Sequence, residues 1–272
     1  MKTYKRVLSI AGSDCSGGAG IDADLKTISA CGGYAMAAVT ALVAENTVGV
    51  QAIHEVPADF VREQIASCLD DIGADAIKIG MLGSPDLIKA VAASLDEKAR
   101  GIPVVLDPVM VAQSGDRLVD DASAATLETL LLPRATIVTP NLPEAEALGG
   151  MPIRTGGELP RAAEAIAAKA GTGTAVLIKG GHLEDEPESD DFLRLGNGET
   201  LRLAGKRIAT KNNHGTGCTL SSAIATFLAH GCGVADAVAK AKAYITEAIR
   251  AGAAYEIGHG HGPVHHFHAF WA

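Results

Sequence analysis

No apolar run in the chain approaches the ~20 residues that cross a bilayer, and the stretch behind Met1-Lys2-Thr3-Tyr4-Lys5-Arg6 is apolar only from Val7 to Ala11. A secretory leader needs a longer apolar core and a small-residue cleavage site, so none is expected. The cysteines are few and do not pair in pattern. Cys15, Cys31, Cys68, Cys218 and Cys232 are odd in number, widely spaced, and form no C-x-x-C. That excludes a disulfide framework and speaks against a structural zinc site, and the expected compartment is the reducing cytoplasm. Basic residues are in deficit, 23 against 32 acids, for a net charge of −9. General binding to nucleic acid or to an anionic membrane is excluded on that balance, while a local basic pocket for a phosphate stays open. A Walker A sequence, G-x-x-x-x-G-K-[ST], is missing, so any nucleotide is held otherwise than in a P-loop.

The 272 residues are 47% hydrophobic and 20% charged, which excludes disorder and collagen-like structure. At roughly 150 residues per domain the length allows one or two domains. With no linker, repeat or low-complexity tract, residues 1–272 read as a single domain.

Short β-rich runs alternate with longer helical patterns. Strands are expected at 6–11, 34–44, 75–79, 103–106, 135–138 and 175–178, and helices at 21–29, 59–72, 85–95, 123–132, 159–170, 219–230 and 234–254. Gly196-Asn197-Gly198 between 192–195 and 200–203 is a hairpin signal. The alternation predicts an α/β fold with a mostly parallel central sheet and helices on both faces. The acidic segment 184–191 is the expected surface loop. In such folds ligands bind beyond the carboxyl ends of the strands. Asp14, Glu45, Asp107, Asn141 and Lys179 all fall at such ends.

Each motif has a chemical and an ordinary reading. Gly18-x-Gly20-x-x-Ala23 fits a dinucleotide fingerprint, with Glu45 as the acid expected about 20 residues on, but a glycine-dense turn is common without any nucleotide. At about 100° per residue, Ile21, Leu25 and Ile28 form a stripe, and Asp24 lies about 60° from Ile21. A carboxylate there needs a partner or belongs to the surface. Asn141-Leu142-Pro143-Glu144 is either a capping-box start or a Mg²⁺ site, with Asp107 sharing the ion. Asn213-His214-Gly215-Thr216-Gly217-Cys218-Thr219 opens a helix. Its glycines let backbone amides converge on an anion, and the helix field lowers the Cys218 thiol; the alternative is an ordinary capped turn. Lys179-Gly180-Gly181-His182 supplies a phosphate-binding lysine or one that snorkels from a sheet end. Five of the nine histidines lie at 259–268. His-x-His invites a metal, yet no cysteine or carboxylate is near, and Pro263, Phe267, Phe270 and Trp271 read as a packed segment.

Taken together, AGSDCSGGAGIDADLKT (11–27), KIGML (78–82), LDPVM (106–110), SGDRL (114–118), TPNLPEAEAL (139–148), KGGH (179–182), NHGTGCTLSSAIA (213–225) and GHGPVHHFHAFW (260–271) span nearly the whole chain. The sequence resembles the hydroxymethylpyrimidine and phosphomethylpyrimidine kinases of thiamine biosynthesis, in the ribokinase superfamily. That resemblance implies a ribokinase-like α/β sandwich, often a homodimer, using ATP and Mg²⁺ on a small pyrimidine with a hydroxymethyl group. It implies that Gly12, Asp24, Glu45, Met81 and Val109 line the pyrimidine pocket. Asn141 and Glu144, with Asp107, organise Mg²⁺; Lys179 and Thr216 hold nucleotide phosphate; Gly215 and Gly217 build the anion hole; Cys218 is the general base. Two positions depart from common patterns: many superfamily members have Asp where Cys218 stands, and the family usually has Gln at Glu45. A carboxylate only accepts hydrogen bonds, so Glu45 is expected to meet a protonated aminopyrimidine or to be protonated itself. The nearest rival is a pyridoxal or pyridoxine kinase on the same scaffold. A binding protein without catalysis is disfavoured by the complete set Asp107, Glu144, Lys179 and Cys218, and a dehydrogenase rests on the weak fingerprint alone.

Overall fold

Runs of aliphatic residues form strands where both faces are covered, and most strands here are such runs. The computed structural model describes residues 2–110, 120–182 and 189–271. The motif at 114–118 and residues 184–188 of the acidic segment lie outside them. The strands are β1 (Arg6–Ala11), β2 (Tyr34–Val39), β3 (Ala41–Asn46), β4 (Gly49–Glu55), β5 (Ala76–Ile79), β6 (Val104–Leu106), β7 (Ile137–Val138), β8 (Ala175–Ile178), β9 (Asp191–Arg194) and β10 (Thr200–Leu203). The helices are α1 (Gly20–Ala30), α2 (Ala58–Ser67), α3 (Pro85–Lys98), α4 (Asp121–Leu130), α5 (Leu142–Gly149), α6 (Leu159–Ala170), α7 (Thr216–Ala229) and α8 (Val234–Gly252).

Eight strands form one sheet in the order β10-β9-β8-β7-β6-β5-β1-β2. All neighbours from β2 across to β8 run parallel, and β9 and β10 close the edge antiparallel. Alternation along each strand feeds two cores. Leu8, Ile10, Ile77 and Ile79 pack under α2–α6, while Val7, Ala76, Val105 and Leu177 meet α1, α7 and α8. Truncating one of these fully buried isoleucines to alanine costs about 2–5 kcal/mol.

The expected strand at 34–44 breaks at Thr40. There the chain leaves the sheet, with Thr40 Oγ1 donating to the Met81 carbonyl at 2.9 Å. Its continuation, β3, pairs with β4 as a separate hairpin. The Ser13 amide donates to the Ala41 carbonyl at 2.9 Å, which ties this hairpin to the loop after β1. Most of β4 is exposed, so it carries no apolar alternation to read. No helix among the described residues is long and apolar enough to cross a membrane.

Candidate active site

The carboxyl ends of β1, β5, β6 and β8 open into a cleft of about 760 Å³, bounded also by β3, the start of α7 and the side of α8. Gly12, Glu45, Met81, Asp107, Val109, Asn141, Glu144, Lys179, Gly215, Thr216, Gly217 and Cys218 all line it.

The loop after β1 is folded around one carboxylate. Asp14 accepts from the amides of Ser16 (2.8 Å), Gly18 (3.0 Å) and Ala19 (2.8 Å), and its Oδ2 lies 2.8 Å from His214 Nε2. Burial opposes the Asp14 charge, but His214 and these donors outweigh it and hold the carboxyl far below its usual range. His214 answers in kind: burial opposes its charge, yet Asp14 and then Glu45 raise it. Glu45 Oε1 is 3.9 Å from the same nitrogen. These three are the one group of three or more His, Cys, Asp or Glu among the described residues whose ligand atoms converge as in a metal site. Asp14 is already filled by amides, so the cluster reads as the lock between two loops. None of the tail histidines joins such a group.

Next to this lock, the turn that enters α7 is set by Gly215, at φ +78°. A Cβ there would overlap the Gly18 carbonyl. Thr216 Oγ1 donates to the Asn213 carbonyl at 2.6 Å, closing the turn that enters α7. A Cβ on Gly217 would stand 3.3 Å from Lys179 Nζ and 3.4 Å from Asp107 Oδ2, so the first turn of α7 faces that pair directly.

Lys179 bonds Asp107 Oδ1 at 3.0 Å. Asp107 also accepts from Thr139 Oγ1 at 3.2 Å and Ser221 Oγ at 3.3 Å. Burial disfavours the Lys179 ammonium, but Asp107 and Glu144 more than compensate and raise it. Asn141 and Glu144 form the capping box in full: the Glu144 amide donates to Asn141 Oδ1 at 2.9 Å and the Asn141 amide to Glu144 Oε2 at 2.8 Å. Cap and site are therefore compatible readings, since Glu144 also borders the cleft. Burial pushes its carboxyl up to about 7, with Lys179 opposing and Asp107 adding to the rise. Two neighbouring buried carboxylates, one held back from ionising, are a donor set that suits Mg²⁺.

Two expectations need correction. Asp24 does not line the cleft: its side chain is 0% exposed beneath the floor, and its oxygens take Ser9 Oγ (2.6 Å), Lys78 Nζ (2.8 Å) and Ser222 Oγ (2.7 Å). Cys218 does not have a lowered thiol. Burial pushes it up to about 11, Lys78 pulls the other way, and Asp24 and Asp107 add to the rise. The first turn of a helix helps a thiolate, but here desolvation is larger.

Sequence reasoning gave no role to His214 or Lys78. A lysine inside the buried run DAIKI was the available signal for Lys78. The tail packs as an arm beside the site. The His214 amide donates to the Gly262 carbonyl at 3.0 Å, and His266 Nε2 lies 3.1 Å from Thr219 Oγ1.

A model of the family described as phosphomethylpyrimidine kinase matches residues 14–265. The hydroxymethylpyrimidine/phosphomethylpyrimidine kinase of Escherichia coli K12 is 49% identical over 265 residues, covering 97% of this chain and 98% of its own. A crystal structure of phosphomethylpyrimidine kinase from Clostridium difficile 630 superposes with TM-score 0.79 at 40% identity, covering 90% of this chain and 99% of its own. An ADP complex of Bacillus subtilis pyridoxal kinase reaches TM-score 0.88 at 37% identity, covering 97% and 98% respectively. With its ribokinase-like sheet and a match along nearly its whole length, the chain belongs to the phosphomethylpyrimidine kinase family of phosphotransferases.

Proposed function

We propose that this kinase transfers the γ-phosphoryl group of ATP to the hydroxymethyl oxygen of 4-amino-5-hydroxymethyl-2-methylpyrimidine, and then phosphorylates the monophosphate to the pyrophosphate for thiamine biosynthesis. One observation carries the reading: Asp107, Glu144, Lys179, Gly217 and Cys218 share one cleft with the pocket wall of Gly12, Val43 and Met81. A Cβ on Gly12 would meet Met81 Cε at 3.2 Å, so the wall is closed to within a methyl group. The ADP complex of the Bacillus relative supports the nucleotide.

Phosphoryl transfer needs positioning and charge stabilisation more than covalent chemistry. The Gly215–Cys218 amides, at the positive end of α7, would receive the equatorial oxygens of the moving group. Lys179 would exchange part of its contact with Asp107 for a nucleotide phosphate. Asp107 and Glu144, with Asn141 fixing Glu144, would hold Mg²⁺, which when bound neutralises phosphate charge. Glu45 and Val109 would orient the pyrimidine beside Met81. Cys218 thiolate would take the hydroxymethyl proton as the oxygen attacks phosphorus in line.

Pyridoxal phosphorylation is the second reading, favoured by the close superposition on a pyridoxal kinase. Identity favours the pyrimidine, at 49% against 37%. The deciding assay is ADP release with MgATP and the hydroxymethylpyrimidine, its monophosphate or pyridoxal. Turnover of both pyrimidines supports the proposal, and turnover of pyridoxal alone overturns it. The reading includes a cytoplasmic homodimer, and the β3–β4 hairpin leaves Leu42, Val48 and Ile53 exposed. Sedimentation tests the dimer.

A further inference from the structure

One charge in the site has no task in that mechanism. Lys78 lies on β5, 0% of its side chain is exposed, and it borders the same cleft as Cys218. A buried ammonium costs several kcal/mol unless it is paired, and an aliphatic residue would fill a strand position without that cost.

Strand alternation says where the charge points. Ile77 and Ile79 enter the α2–α6 layer and Ala76 the opposite layer, so Lys78 leaves the sheet with Ala76, toward α7. Its Nζ donates to Asp24 Oδ2 at 2.8 Å, and Asp24 Oδ1 accepts from Ser222 Oγ at 2.7 Å. Ser222 follows Cys218 by four residues, so both occupy one face of α7. Through Asp24 the ammonium is thus tied to the turn of α7 that follows Cys218, on the face that carries it, and both residues line the one cleft. The room for it comes from Gly80, where a Cβ would stand 2.7 Å from Nζ.

We infer that Lys78 is a positioning residue for the transfer: anchored by Asp24, its ammonium lowers the cost of negative charge on Cys218 Sγ and so supplies the thiolate that takes the substrate proton. The inference rests on the reading of Cys218 as proton acceptor. The charged groups facing the thiol are Lys78, Asp24, Asp107 and Lys179; the two lysines favour the thiolate, and Lys78 outweighs either carboxylate. In the step itself the thiol proton has already left to solvent through the open cleft. The hydroxymethyl proton passes to Sγ, the oxygen lone pair forms the new O–P bond, and the old P–O bond leaves its electron pair on ADP.

Lys78→Met alone strands the Asp24 carboxylate, so the informative variant is Lys78→Met with Asp24→Asn, which removes both charges at similar volume. Alkylation by iodoacetamide is followed at the Cys218 peptide by mass spectrometry, which separates it from the other four cysteines. The expected result near about pH 8 is slower alkylation, by about threefold or more, because the lost Lys78 outweighs the lost Asp24 at the thiol. The kcat falls with it, KM stays, and Lys78→Arg restores both. A folded double variant with unchanged alkylation and unchanged kcat overturns the inference. Full turnover by Cys218→Ala overturns the reading beneath it instead, whatever Lys78 does.

Discussion

Replacing Gly215 with alanine separates backbone strain from the geometry of the anion loop. At φ +78° a side chain costs about 1–2 kcal/mol. A Cβ at Gly215 also overlaps the Gly18 carbonyl, a backbone atom that no rotamer change can move aside. Overpacking of this kind adds about 1–3 kcal/mol. Gly231 is the internal control: its φ is +88°, yet a Cβ there meets nothing within 4 Å. Gly231→Ala therefore carries strain alone. At roughly 2–4 °C per kcal/mol in a chain of this size, Gly215→Ala is expected to lose about 4–20 °C in Tm and Gly231→Ala about 2–8 °C. The overlap also drives the Gly18 and Gly215 loops apart. If these loops receive the phosphoryl oxygens as proposed, a shift of ~1 Å in them costs about 10²-fold in kcat. Thermal melting and ADP release read the two effects separately. Equal losses in Tm for both variants, with kcat of Gly215→Ala at the wild-type value, would refute the geometry argued for this loop.

Cys218→Ala is expected to lower kcat by about 10²–10⁴ while leaving KM near its wild-type value; a turnover assay that finds wild-type kcat removes Cys218 from the chemistry. The Asp14–His214 pair has a definite pH sign. Asp14 is held ionised throughout, so the contribution follows the His214 charge, complete below the ordinary 6.5 and lost as pH rises through the raised folded value. The Tm gap between wild type and His214→Gln should therefore narrow as pH rises above the ordinary 6.5, and a gap that widens contradicts the pairing. Glu45→Gln keeps an acceptor at this position and adds a donor. It is expected to move the pH optimum of kcat/KM; identical profiles would show that neither Glu45 nor the ring changes protonation in binding.

How much of this was legible follows from which forces are local. The strands β1, β5, β6 and β8 are buried on nearly every residue, so each announces itself as a short aliphatic run. The exposed β4 does not, and the corner at Thr40 depends on a bond to a residue 41 positions away. The site was legible where glycines and polar residues follow strand ends, because topology alone carries those ends to one rim. The pocket place that the resemblance implied for Asp24 and the lowered thiol expected of Cys218 failed for one shared reason. The helical wheel set Asp24 at the edge of an apolar stripe and required a partner, but the partner came from 54 residues on, across the sheet. Position in the first turn of α7 lowers a thiol locally, while the burial that raises Cys218 comes from strands brought in by tertiary packing. Both errors meet at Lys78. A lysine between Ile77 and Ile79, in a strand with no exposed residue, must find an anion inside the protein. That anion is Asp24, and the pair then lies where the charge of Cys218 has to be supported.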